Sequence, residues 1–128
     1  MENKYLLSLD GGGVREIATV IFLSKLEKAL GTPLHKKFDF FIGTSAGAIT
    51  AMALSIAKMS GDNLLEFWSE ETFDRILDSS LWDSKLGLMQ TNPKYDGKGK
   101  KQVLNEYFGD LKLGDATGDI AIVSYDIE

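Results

Sequence analysis

The sequence predicts an α/β fold with a mostly parallel sheet flanked by helices. Three observations predict it. Short apolar runs that read as buried strands alternate with longer helix-forming stretches. Two of the runs end in glycine-rich turns that lead directly into a helix. The 128 residues suit one domain with a core of its own.

The first run, Tyr5 to Leu9 (YLLSL), stops at Asp10-Gly11-Gly12-Gly13, a buried strand entering a glycine turn. Glu16 to Leu30 follows as a helix, apolar nearly all round at first and then charged at Lys25, Glu27 and Lys28. Gly31, Thr32 and Pro33 close it, because glycine accepts a left-handed cap and proline cannot continue a helix. Phe38 to Ile42 is the second strand. Ala46 to Lys58 is alanine-rich with no charge before Lys58, which predicts a helix buried on most of its surface. Ser60 to Asp62 opens a third helix carrying Leu65, Trp68, Phe73, Ile76 and Leu77, with Phe67, Trp68 and Phe73 spaced as core. Ser79 to Gly99 is irregular, marked by Pro93 and Asp96-Gly97. Lys100 to Phe108 is a short helix, and Ile120 to Ile127 is a third strand. No internal repeat and no linker interrupts the series.

Composition narrows the function. A net charge of −5 opposes attraction to nucleic acid and to anionic lipid. With no cysteine there is no disulfide, thiolate metal site or cysteine nucleophile, and one histidine cannot build a histidine metal site. The stretch MENKYLLSLDGGG lacks the apolar core and cleavage site of a secretory leader. The longest uncharged run, Phe40 to Ala57, is broken by glycine, serine and threonine, and its helical part falls short of the roughly 20 residues that span a bilayer. The expectation is a cytoplasmic protein without nucleic-acid partners.

The second turn holds the most specific signal, Gly43-Thr44-Ser45-Ala46-Gly47. A strand that bends sharply into a helix strains the corner residue, and side chains two positions away on either side would collide with the opposite limb. Glycine at positions 43 and 47 removes both collisions, and Ser45 projects from the corner toward the positive end of the next helix. Ala46 leaves the approach open. The competing reading is a small-residue turn that only lets helix and sheet pack closely.

The first turn, Asp10-Gly11-Gly12-Gly13-Val14-Arg15, exposes three successive backbone amides and can cradle an oxyanion or a phosphate. A dinucleotide loop needs G-x-G-x-x-G, and Glu16 at the sixth position would bring negative charge to a pyrophosphate. An oxyanion hole needs only donors aimed at one point, with Arg15 steadying the loop or the charge. Asp10 is expected to accept hydrogen bonds from the turn. A plain tight turn is the third reading. Adjacent parallel strands would bring both turns to one edge of the sheet, where α/β proteins place their sites.

In order, spacing and flanks, LDGGGVR followed by FDFFIGTSAGAI resembles the N-terminal half of the patatin-like phospholipase family. Pro93 to Gly99, EYFGD and VSYD are similar but less diagnostic. The resemblance implies an α/β-hydrolase-related three-layer sandwich. It implies a serine lipid acyl hydrolase with a Ser-Asp dyad, acting on phospholipid or another acyl lipid, with no catalytic histidine, no metal and no cofactor. On that match Ser45 is the nucleophile, within the elbow of Gly43, Thr44, Ala46 and Gly47. Gly11, Gly12, Gly13 and Arg15 line the oxyanion hole. The family has glycine where this chain has Glu16, and its catalytic aspartate stands in a later Asp-Gly motif that neither Asp10 nor Asp96 matches. Residues 1–128 are therefore expected to be the N-terminal portion of a single, truncated domain, nearly inactive alone because an unassisted serine hydroxyl is a weak nucleophile. A non-catalytic lipid- or partner-binding module is the alternative.

Further expectations concern the surface. His35 reads as a surface histidine at the far end of the second strand. Lys94, Lys98, Lys100 and Lys101 around Tyr95 read as a solvated loop, with lipid headgroup contact as the alternative. Trp82, Leu86, Leu88 and Met89 form either packing or an apolar lip for transient contact with a membrane surface. An open sheet edge invites self-association.

Overall fold

A computed structural model describes residues 3–77 and 98–124. The chain divides into two compact units, Met1–Trp68 with Asp110–Glu128, and Ser69–Gly109.

The first unit is built on three parallel strands in the order β1 (Leu6–Leu9), β2 (Phe40–Thr44) and β3 (Asp119–Val123). The second strand starts two residues later than its apolar run suggests. The amides of Asp39 and Phe40 both donate to the Tyr5 carbonyl, at 2.8 and 3.2 Å, so regular pairing begins only at Phe40 opposite Leu6. It also ends later, because Gly43 and Thr44 still pair with Ile122 and Val123. β3 begins one residue before its expected start, and the end expected for it, residues 125–127, lies outside the described residues.

Helix α1 (Glu16–Leu30) has the predicted bounds and cap, with Gly31 left-handed at φ 62° and its amide on the Glu27 carbonyl. Its buried positions, Glu16, Val20, Leu23 and Ser24, follow one helical face, while Ile17, Ile21 and Phe22 remain exposed. The single turn α2 (Leu34–Lys37) is not legible in the sequence. The Glu27 carboxylate builds it from a distance, accepting the Leu34 amide at 3.0 Å and the Gly61 amide at 2.9 Å. Helix α3 (Ala46–Ser55) packs against all three strands, and nine of its ten residues are buried, which bears out its uncharged sequence. It stops short of Lys58 because Ile56 and Ala57 both turn back to the Met52 carbonyl and Lys58 is left-handed at φ 55°.

The expected third helix is two. Helix α4 (Gly61–Phe67) starts on Ser60, whose hydroxyl accepts the Asn63 amide at 3.2 Å. It packs on α1, where Gly61 lies against the Ser24 backbone and Asp62 accepts from Ser24 Oγ at 2.9 Å. It ends at Trp68 (ψ 36°), whose indole is fixed by a hydrogen bond to Thr50. That tertiary anchor breaks a pattern that reads as continuous in one dimension.

The second unit contains α5 (Glu70–Leu77) and α6 (Lys98–Phe108), packed together. Ser69 starts α5 by accepting the Thr72 amide, and Gly99 admits the Arg75 carbonyl so closely that any side chain there would collide. Arg75 pairs with Glu106, while Phe73, Ile76 and Val103 are buried. Helix α6 begins two residues before its expected start at Lys100. Residues 79–97 of the expected irregular stretch lie outside the described residues.

Candidate active site

β2 passes into α3 through one residue. Ser45 has φ 53° and ψ −127°, a left-handed conformation that costs a non-glycine residue about 1–3 kcal/mol and persists only when both limbs are locked. The limbs are locked sterically. A Cβ on Gly43 would strike the Gly47 carbonyl oxygen and lie 2.7 Å from Ala48 Cα. One on Gly47 would strike the Leu9 carbonyl oxygen and lie 2.8 Å from that of Asp10. Ala46 and Gly47 are buried, whereas Thr44 and Ser45 are exposed. Ser45 stands at the N-cap of α3, where a serine hydroxyl commonly bonds the first helical amides. Here it makes no capping bond; the Ser45 carbonyl alone accepts from Ala48 and Ile49, at 3.0 and 3.3 Å. The hydroxyl is thereby left available to a reacting group.

The glycine turn lies beside it. Leu9 pairs with Gly43, so the chain leaves β1 and β2 at the same level of the sheet. A Cβ on Gly11 would sit 2.7 Å from Ser45 Cβ and 2.9 Å from the Thr44 carbonyl oxygen. Only a residue without a side chain permits this approach. Gly13 is left-handed at φ 57°, and Gly13–Arg15 form one 3₁₀ turn closed by the Arg15 amide on the Gly12 carbonyl at 3.2 Å. Among the described residues the amides of Gly11, Gly12 and Gly13 donate to no protein acceptor. They are free donors in a turn whose Gly11 abuts the exposed Ser45.

Asp10 does not play its expected part. It is exposed, and among the described residues its carboxylate accepts no hydrogen bond from the turn. Glu16 was expected to bring charge toward the turn, and instead it points into the core at 1% exposure. Its Oε1 accepts from Thr50 Oγ1 at 2.6 Å, and among the described residues Oε2 has no partner. Burial raises the carboxyl above its ordinary pKa, partly offset by the Thr50 donation. The electrostatic argument against a dinucleotide at this turn therefore fails. What remains against it is the missing third glycine of the fingerprint.

His35 lies on α2, before β2 begins, and so at the opposite edge from Ser45. It lines a cleft of about 980 Å³ with Tyr5, Lys36, Lys58 and Asp119. Its Nδ1 is buried without a partner among the described residues, and burial, with the Lys36 charge, lowers its pKa. Among the described residues no group of three or more His, Asp or Glu could hold a metal ion, and no described helix is long and apolar enough to cross a membrane. Lys98, Lys100 and Lys101 lie on α6 rather than in a loop. Lys94, Tyr95, Trp82, Leu86, Leu88 and Met89 lie outside the described residues.

The family model for patatin-like phospholipases matches residues 7–127. The chain is 36% identical over 111 residues to a cGAMP-activated phospholipase of Pseudomonas aeruginosa, covering 87% of this chain and 33% of that protein. It is 32% identical over 136 residues to Patatin-like protein 4 of Arabidopsis thaliana, covering 96% and 34%. It is 30% identical over 132 residues to Phospholipase A I of the same plant, covering 93% and 10%. The chain thus spans a third of the length of the first two and a tenth of the third.

Proposed function

The chain belongs to the patatin-like phospholipase family, and from that premise we propose that it is the N-terminal portion of a single lipid acyl hydrolase domain, of phospholipase A type, with Ser45 as nucleophile. The observation that carries the reading is the abutment of Gly11 on Ser45, which sets an exposed, uncapped serine against a glycine turn whose three amides have no acceptor among the described residues.

In this mechanism Ser45 Oγ bonds to the ester carbonyl carbon of a membrane phospholipid or another acyl lipid, and its proton passes to an aspartate outside residues 1–128. The carbonyl oxygen takes the negative charge and receives hydrogen bonds from the amides of Gly11, Gly12 and Gly13, with Arg15 adding positive charge at the rim. One such donor is worth ~10²–10³ in rate. Collapse of the tetrahedral intermediate breaks the ester C–O bond, and the departing alcohol takes the aspartate's proton. Water then attacks the acyl-serine, gives its proton to the aspartate, and releases the fatty acid as Ser45 recovers its hydrogen. Acyl transfer through serine needs no cofactor. Action on the cytoplasmic face, with transient contact at the membrane surface, belongs to the same proposal.

A second reading has one observation in its favour. Among the described residues no carboxylate or imidazole bonds the Ser45 hydroxyl, which suits a non-catalytic lipid- or partner-binding module. A fluorophosphonate probe separates the two. The full-length protein is expected to be labelled at Ser45 and the Ser45→Ala variant not at all; absence of label in the unsubstituted protein refutes the hydrolase.

A further inference from the structure

Glu16 begins α1 directly after the 3₁₀ turn that closes the glycine loop, and Thr50 lies on α3 five residues after Ser45. A third helix joins them. The indole N–H of Trp68, at the end of α4, donates to Thr50 Oγ1 at 2.9 Å, and the Thr50 hydroxyl donates to Glu16 Oε1 at 2.6 Å. An indole can only donate, so Thr50 accepts from Trp68 and its own proton is turned to Glu16 Oε1. Glu16 Oε2 is buried without a partner among the described residues.

A negative charge shared onto that orphan oxygen would be costly this far from water, so burial favours the neutral carboxyl. Leucine at 16 would fill similar space and remove the orphan oxygen, at the cost of the acceptor for the Thr50 hydroxyl. A half-satisfied carboxyl at this point is a poor way to build a core, and the groups it joins indicate another use. Glu16 ties the helix that begins on the glycine turn to the helix that begins on the serine.

We propose that Glu16 in its neutral form is a positioning residue, which acts through Thr50 to hold the amides of Gly11–Gly13 in register with the Ser45 hydroxyl. The inference rests on the acyl-hydrolase reading of Ser45 and extends it to the supports of the site.

The test uses the full-length enzyme. Thr50→Val keeps the shape of residue 50 and removes the hydroxyl; Glu16→Gln keeps an acceptor and stays neutral. Thr50→Val is expected to slow fluorophosphonate labelling of Ser45 and to lower kcat, each about tenfold, with KM within about twofold. Hydrogen exchange should quicken at residues 11–15 while α3 stays protected. Glu16→Gln should remain within about twofold of the unsubstituted enzyme in every readout, whereas Glu16→Leu should match Thr50→Val. Unchanged labelling and exchange in Thr50→Val overturns the proposal, and so does Glu16→Gln as impaired as Glu16→Leu. If unsubstituted enzyme is not labelled, the nucleophile assignment fails on its own, and exchange at residues 11–15 still decides the role of Glu16.

Discussion

Two strand-to-helix turns leave the same edge of the sheet and are built on opposite plans. The turn after β2 is a single strained residue, with Gly43 and Gly47 forced by backbone contacts on both sides. The turn after β1 is longer and open. A Cβ on Gly13 would meet nothing within 4 Å, and one on Gly12 would meet only its neighbour Arg15, at 3.3 Å. Gly11 is the exception, pressed against Ser45. One turn fixes a hydroxyl by steric necessity, and the other leaves amides undonated. Rigidity belongs to the proposed nucleophile and access to the proposed donors, so equal-looking glycines should respond unequally to substitution.

Ser45→Ala should have the largest effect on activity, lowering lipid hydrolysis by the full-length enzyme at least ~10³-fold with stability changed by less than about 1 kcal/mol. Turnover that survives would remove the distinction between the turns. Gly47→Ala and Gly43→Ala should be the most damaging to the fold, costing about 3 kcal/mol or more, because the atoms they meet are backbone and cannot swing aside. Thermal unfolding of both variants measures this, and a melting temperature equal to that of the parent would show that the elbow is not sterically locked. Gly11→Ala should cost less stability but reduce labelling of Ser45, since its new methyl group lies where the serine side chain begins.

A fourth prediction concerns pH. The folded pKa of Glu16 is raised, so its contribution is complete below the unfolded carboxyl value of about 4.3 and is lost as pH rises toward the folded value. The fall is at most about 1.4 kcal/mol per pH unit. Asp39 and Asp62 have lowered pKa values, through Lys4 and Lys28 respectively, and act in the opposite sense. Denaturant unfolding of Glu16→Gln beside the parent, from pH 4 upward, isolates Glu16: the Gln variant should gain relative stability with rising pH, and parallel curves would contradict its burial. The smallest effect belongs to Gly12→Ala, within about 1 kcal/mol, because its φ of −174° is ordinary extended backbone. Together with Gly47→Ala it measures the contrast between the two turns.

Size-exclusion chromatography of the 128-residue chain bears on the surface left open. β1 and β3 are the edges of the described sheet, and Ile17, Ile21 and Phe22 are exposed on α1. Self-association is the expected outcome, and a clean monomer would contradict it.

Much of the fold was legible because its signals are local. An uncharged, alanine-rich stretch reads as a buried helix wherever it sits, and Gly31 with Pro33 ends α1 for reasons internal to the backbone. Gly43 belongs to the same class of signal, since it answers to the bend of its own segment. Gly47 instead answers to Leu9 and Asp10, and Gly11 to Thr44 and Ser45, all distant in sequence. What needed the third dimension were partners distant in sequence. The split at Trp68 depends on Thr50, the α2 turn depends on Glu27, and Glu16 looks like a surface charge until Thr50 is placed over it. Above all, the pairing of Leu9 with Gly43 decides that Gly11 touches Ser45. Register between strands more than thirty residues apart is a property of the packed sheet, because a neighbouring strand supplies the hydrogen bonds that select it.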